Sequence, residues 1–499
     1  MRQRSLRFSV IISLLTLSFL VVTAAPAFAK KPKKRKAAAE KAERLKRESE
    51  ARIAALYQMA MARTNQIATP SQPVIGTMND GNASIVAPVT SATNAQFLAD
   101  DAAPPALAPL AGTLLISEFR LQGVNGANDE FIEIYNNSGA DHTVAAISGT
   151  GYGVAASDGV LRCTIPNGTV IPNKGHFLCV NSVGYSYSTY PEGNGTTATG
   201  DATYTTDIPV NAGIALFNNN SGGGAFQVAN RFDAVGSATE ANTLYKEGTG
   251  YPALNPALTF EHSFVRDECG KGGTVNLLGP CTISTPKDTD DNSADFFFVD
   301  TNGTSSGAGQ RLGAPGPQNL SAPIQRNSSF TAAFLDSTAT AASPPNRVRD
   351  FTSAPAQNST FGTLSIRRRF VNNTGGNVTL LRFRIIDLDT FPAASGFADL
   401  RPRTSTAVVV AGINDPVTCT AAGMATPCTV TLEGTTLEQD NTAPSTGQPN
   451  GGGFNSSMSA GTITLATPLA NGASINLQFL LGLQQTGNFR FYVNIEALP

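Results

Sequence analysis

Beyond residue 110 the apolar residues of this 499-residue chain fall in short runs that alternate with polar ones at period two, and they form no long helical repeat. Leu114-Leu-Ile-Ser-Glu-Phe-Arg-Leu121 and Phe131-Ile-Glu-Ile-Tyr135 show the pattern first, with the turn-rich segment Gln122 to Asp129 between them. Successive side chains of a strand point to opposite faces, so alternation marks one face for burial. Gly168 to Ile171, His176 to Val180, Gly213 to Phe217, Gln227 to Phe232, Leu258 to Val265 and Phe296 to Val299 are further strand candidates. Turns are well supplied by 47 Gly and 30 Pro, and only 14% of residues are charged. These features predict an all-β chain of packed sandwiches.

The first 110 residues read differently. Arg2, Arg4 and Arg7 precede an apolar run from Phe8 to Thr23 and a small-residue end at Ala27-Phe28-Ala29, the three parts of an export signal. Cleavage after Ala29 is expected over retention as a membrane anchor, and no later segment is apolar enough to span a bilayer. The expected location is therefore extracellular or on the cell surface. Residues 30–64 form a basic segment with helix-favouring composition, carrying twelve Lys or Arg against four Glu up to Arg63. Such a stretch is suited to contact an anionic envelope. Residues 65–110, rich in Pro, Ala, Ser and Thr, read as a disordered linker.

Six cysteines suit an oxidising destination, and none forms a CxxC pair. They fall as near neighbours: Cys163 with Cys179, Cys269 with Cys281, and Cys419 with Cys428. Local pairing is the expectation among 15 formal connectivities.

Several ordered motifs then carry a resemblance. Leu115-Ile-Ser-Glu-Phe followed by Asn128-Asp-Glu-Phe-Ile-Glu-Ile-Tyr-Asn-Asn-Ser-Gly139 is similar to the opening of a lamin tail domain. Ile171-Pro-Asn-Lys-Gly-His-Phe-Leu178, Ile214-Ala-Leu-Phe-Asn218, Arg231-Phe-Asp-Ala-Val-Gly236, Asp288-Thr-Asp-Asp-Asn-Ser-Ala-Asp-Phe296 and Gly313-Ala-Pro-Gly-Pro-Gln-Asn319 continue it. The resemblance covers residues 111–325 and implies an immunoglobulin-like β-sandwich of an exported bacterial protein. A second β-sandwich domain, of no named family, is expected over residues 329–499. Within it, Thr363 to Val371 and Val378 to Leu388 flank Asn372-Asn-Thr-Gly-Gly376, and Ile475 to Leu481 and Phe489 to Ile495 flank Gln484-Gln-Thr-Gly-Asn488. Both arrangements predict hairpins, the second ending the chain in a core strand. Residues 440–458 are expected to form a loop.

Residues of types that carry chemistry are few. His142, His176 and His262 lack the spacing of a metal site or a catalytic triad, and are expected as surface or strand residues. Gly303-Thr-Ser305-Ser-Gly307 matches G-x-S-x-G but leads into Ala-Gly-Gln-Arg-Leu-Gly-Ala-Pro, which cannot form the helix a nucleophile elbow requires. Asp288, Asp290 and Asn292 place oxygen ligands at alternate positions, as calcium loops do, without the Gly and Glu of an EF-hand. An Asx-rich turn before Phe296 is the reading favoured over calcium, and no other cofactor is indicated. Arg367, Arg369, Arg382 and Arg384 share the outward parity of the expected 363–388 hairpin and would offer a polyanion one basic face; a solvated face with carboxylate partners is the alternative. The expectation for function is a non-enzymatic binding, adhesion or surface-display module for a protein, polysaccharide or DNA ligand. The alternatives are a divalent-ion-dependent extracellular hydrolase and a structural coat or appendage subunit.

Overall fold

The structure, a computed structural model, describes residues 110–187, 198–254, 258, 260–268, 286–301, 311–438 and 452–499, which belong to one compact unit. The export signal, the basic segment, the linker short of Leu110, Cys269, Cys281 and Ser305 lie outside the described residues.

The chain is all-β, and its sheets stack around two separate apolar cores. The first sandwich contains β1 (Leu114–Arg120), β2 (Phe131–Asn136), β3 (His142–Thr143), β4 (Gly151–Ala156), β5 (Leu161–Pro166), β6 (Val170–Ile171), β7 (His176–Asn181), β8 (Ala202–Tyr204), β9 (Ile214–Phe217), β10 (Arg231–Val235), β11 (His262–Arg266), β12 (Phe296–Asp300) and β13 (Arg311–Leu312). One sheet runs β13-β12-β11-β1-β2-β7-β8, and the sheet packed on it runs β10-β9-β4-β5. Phe119, Ile132, Ile134 and Phe177 of the first meet Val154, Ile165, Leu216 and Phe232 of the second in a common core. The Cys163–Cys179 disulfide crosses from β5 to β7 and so joins the two sheets. A one-turn helix, α1 (Asn292–Asp295), leads into β12.

The second sandwich contains β14 (Ile324–Gln325), β15 (Phe330–Phe334), β16 (Arg347–Asp350), β17 (Thr363–Asn372), β18 (Leu380–Leu388), β19 (Asp399–Arg403), β20 (Val408–Ile413), β21 (Cys428–Gly434), β22 (Thr436–Leu437), β23 (Ser457–Ser459), β24 (Ser474–Gln485) and β25 (Phe491–Leu498). One sheet runs β14-β25-β18-β23-β22; the other runs β15-β17-β24-β21-β20, with β16 beside β17 and β19 beside β24. The Cys419–Cys428 disulfide ties a short helix, α2 (Pro416–Ala421), to β21.

Neither expected hairpin forms. β17 pairs with β24, Thr363 opposite Gly482, and β18 pairs with β25, Leu380 opposite Leu498. Each turn therefore carries the chain across the core from one sheet to the other. Alternation fixes which face of a strand is buried, but a strand and its neighbour in sequence satisfy it equally well side by side or face to face. The Asn372 side chain holds the first crossing, donating to Gly376 O at 2.9 Å and to Leu469 O at 2.8 Å. Because the strands face one another, the tilted rings of Phe370 and Phe383 meet across the core with centroids 4.8 Å apart, and Phe479 lies 4.9 Å from Phe383.

Candidate functional site

The four arginines expected on one face are divided between two sheets. Arg382 and Arg384 leave β18 on the side that meets the first sandwich, where they are 0% and 2% exposed. Their Nε atoms donate to the two oxygens of Glu496, at 2.6 and 2.9 Å. Arg384 Nη1 also donates to Asn455 O at 2.8 Å, and Asn455 in turn donates to Glu118 of β1 at 2.9 Å. Glu118 further accepts from Gly316 N at 3.0 Å, and Glu133 of β2 accepts from Gln318 N at 2.7 Å. Burial, followed by the charge of Glu118, pushes the Glu133 carboxyl well above the usual range. Gly316 is required here, since a Cβ would lie 2.3 Å from Arg384 Nη1. These side chains are committed to joining the sandwiches and leave no guanidinium for a polyanion.

The other arginines form a different surface. Arg347 and Arg349 of β16 lie opposite Ile366 and Leu364 of β17, and so take the inward parity. Arg368 takes it too, buried with its guanidinium 4.9 Å over the Phe334 ring. Arg367 is half-buried with the opposite parity, and Arg403 of β19 reaches Ser359 Oγ at 2.7 Å. None of Arg347, Arg349, Arg367, Arg368 or Arg403 is in an ion pair among the described residues. Burial, with the neighbouring charge of Arg347, pushes Arg368 down to about 10, and burial lowers Arg347, Arg349, Arg367 and Arg403 as well. A cation lowered in this way is one whose lost hydration no anion has replaced. Arg347 Nη1 is buried without a hydrogen-bond partner. Beside it lies a cavity of about 430 Å³ lined by Arg347, Val348, Arg349, Leu364, Leu400, Leu483 and Phe489. Its size falls within the range of small-molecule sites.

The acidic run beside α1 is a capped turn. Asp291 Oδ1 accepts from Ser293 N at 3.1 Å and from Thr249 N at 3.0 Å. Asn292 is fully engaged: its Oδ1 accepts from Gly236 N and Glu247 N, each at 3.0 Å, and its Nδ2 donates to Ala234 O at 2.8 Å. Asp290 sits at the turn's apex with φ 55°. Asp288 alone of the three joins a convergent group, with Asp233 and Glu247, in which one carboxylate oxygen from each lies within 4.8 Å of the others. Asp233 and Glu247 stand 55 and 41 positions from Asp288, too far apart for a local sequence pattern to connect them.

No histidine enters that group. His142 Nε2 lies 3.1 Å from Tyr152 Oη, His176 Nε2 3.8 Å from Glu133 Oε1, and the buried His262 Nδ1 2.9 Å from Phe260 O. Among the described residues no helix is long and apolar enough to cross a membrane. Comparison with family models, with curated proteins and with solved structures returns no match in any of the three.

Proposed function

We propose that this chain is a secreted or cell-surface binding module that performs no catalysis, with a lamin-tail-like first sandwich held rigidly to a second sandwich that carries the ligand site. Its ligand is an anion with an apolar body, taken up at the cavity between β16, β17, β19 and β24. The observation that carries this reading is Arg347: a guanidinium at the wall of an apolar cavity, with a buried Nη1 that lacks a partner and no carboxylate paired to it. An incoming carboxylate or phosphate would form charge-assisted hydrogen bonds there, while Leu364, Leu400 and Leu483 cover its apolar part. Each such hydrogen bond contributes about 1.5–3 kcal/mol, or roughly 10- to 100-fold in affinity.

Dodecyl phosphate is a suitable probe, with dodecanol as its uncharged counterpart. Isothermal titration of the mature protein should show saturable binding of the phosphate only, and R347Q/R349Q, verified as folded by circular dichroism, should bind it at least about tenfold more weakly. Equal affinity of the variant and the wild type would remove the basis of the proposal.

A further inference from the structure

We propose that Asp233, Glu247 and Asp288 form a binding site in the first sandwich for a hard divalent cation, of which calcium is the best-fitting example. The site is independent of the arginine cavity in the second sandwich.

Geometry is the first support. Oxygens within 4.8 Å of one another can share a calcium ion at the usual metal–oxygen distance of about 2.4 Å, with waters completing a flexible shell. Charge is the second. The cations facing the group are Arg266 of β11, which contacts Asp233, Asp288 and Asp295, and Arg231 of β10, whose Nη2 lies 3.1 Å from Glu247 Oε1. Four carboxylates face two guanidiniums, so ionising the group leaves an excess of negative charge that a divalent ion neutralises.

The third support is the orphaned atom. Glu247 is 8% exposed, and its Oε2 is buried with no hydrogen-bond partner, although Oε1 has one. Leaving a carboxylate oxygen dry and unpaired is costly unless something positive comes to it. Asn292 fixes the approach by accepting from the Glu247 backbone N–H, so the buried Asn in the acidic run positions a ligand and is not one itself. Asp295 lies outside the converging oxygens, its own accepting from Thr289 N and Oγ1 at 2.8 and 2.7 Å; Asp233, which accepts from Ile116 N at 2.7 Å and Ala234 N at 2.8 Å, would share an oxygen with the ion. Asp288 is solvent-exposed at the edge of the group and gives the ion a way in. A bound ion would tie β10, the segment around Glu247 and the turn before α1 into one unit.

The test is isothermal titration of calcium chloride into the chelator-stripped mature protein at pH 7.5. Saturable binding of one ion is expected. E247Q should weaken calcium at least about tenfold, and so should the exposed D288N, which keeps the test valid if E247Q folds poorly. D290N, outside the group, should bind as wild type. Absence of saturable binding up to millimolar calcium would overturn the proposal. So would unchanged binding by both E247Q and D288N, or loss with D290N, which would move the site to the 288–292 turn.

Discussion

Asn455 of the second sandwich donates to Glu118 of the first at 2.9 Å across 337 positions of sequence, and both side chains are buried. Around that bond Arg382, Arg384, Glu133, Glu496 and Gln318 complete a polar seam sealed from water. A seam of this kind has a sharp asymmetry: fully satisfied it fixes one docking geometry, whereas losing one member strands the others without hydration.

Arg384→Ala should therefore be far more damaging than its loss of packing suggests. It leaves Glu496 with Arg382 alone and removes the donor to Asn455, and a cost of about 3–5 kcal/mol is expected from urea denaturation of the mature protein. A loss below about 1 kcal/mol would mean the seam is wet or unformed.

Gly316→Ala tests the same seam by crowding. The new Cβ would meet Arg384 Nη1 at 2.3 Å and Asn455 O at 2.9 Å, so a destabilisation of about 1–3 kcal/mol is expected. Gly375→Ala, where a Cβ meets nothing but φ is 87°, separates crowding from backbone strain alone.

Removing the Cys163–Cys179 link, as C163S/C179S, should cost about 3 kcal/mol, because its 16-residue separation restricts the unfolded chain and it joins the two sheets of the first sandwich. Differential scanning calorimetry under oxidising conditions reads the loss directly. An unchanged midpoint would show that the link contributes nothing to stability.

Stability should fall as pH rises from 5 to 7 in the presence of chelator. Burial pushes Glu130 and Asp387 up to about 7 and Asp201 up to about 6. In that window the folded chain keeps protons that the unfolded chain has released, so this stabilisation is complete below about pH 4 and is lost as pH climbs through 6 to 7. His262, pushed down to about 3 by burial and then by Arg120, acts in the opposite direction: the unfolded imidazole gains a proton below about 6.5 that the folded one refuses. Three carboxyls outweigh one imidazole. Urea midpoints at pH 5, 6 and 7 should decline, and more steeply in H262Q; a rise with pH would contradict the burial of these groups.

How far the sequence revealed this arrangement depends on the question asked of it. Period-two alternation located β1, β2, β7 and β9, because each has one face that must leave water. The same rule missed β4, Gly151-Tyr-Gly-Val-Ala-Ala156, where glycines interrupt the alternation. They are there for close approach: a Cβ on Gly151 would lie 2.1 Å from Ile165 O, and one on Gly153 2.7 Å from Asn219 O. Alternation also could not decide whether β17 returns beside β18 or crosses to the opposite sheet, and that choice determines where the arginines go. Outward parity was read for Arg382 and Arg384, but outward from β18 means into the first sandwich, a surface visible only once both sandwiches are placed. Arg347 and Glu247 are marked by an atom without a hydrogen-bond partner, Nη1 and Oε2, and a missing partner leaves no local sequence pattern.

The claim that the second sandwich holds an anionic ligand against Arg347 is tested most directly by a crystal structure of the mature protein with dodecyl phosphate. The account expects a phosphate oxygen within hydrogen-bond distance of Arg347 Nη1 and the alkyl chain against Leu364, Leu400 and Leu483. A ligand bound elsewhere, or a cavity closed by its own side chains with Arg347 paired to a carboxylate, would contradict it.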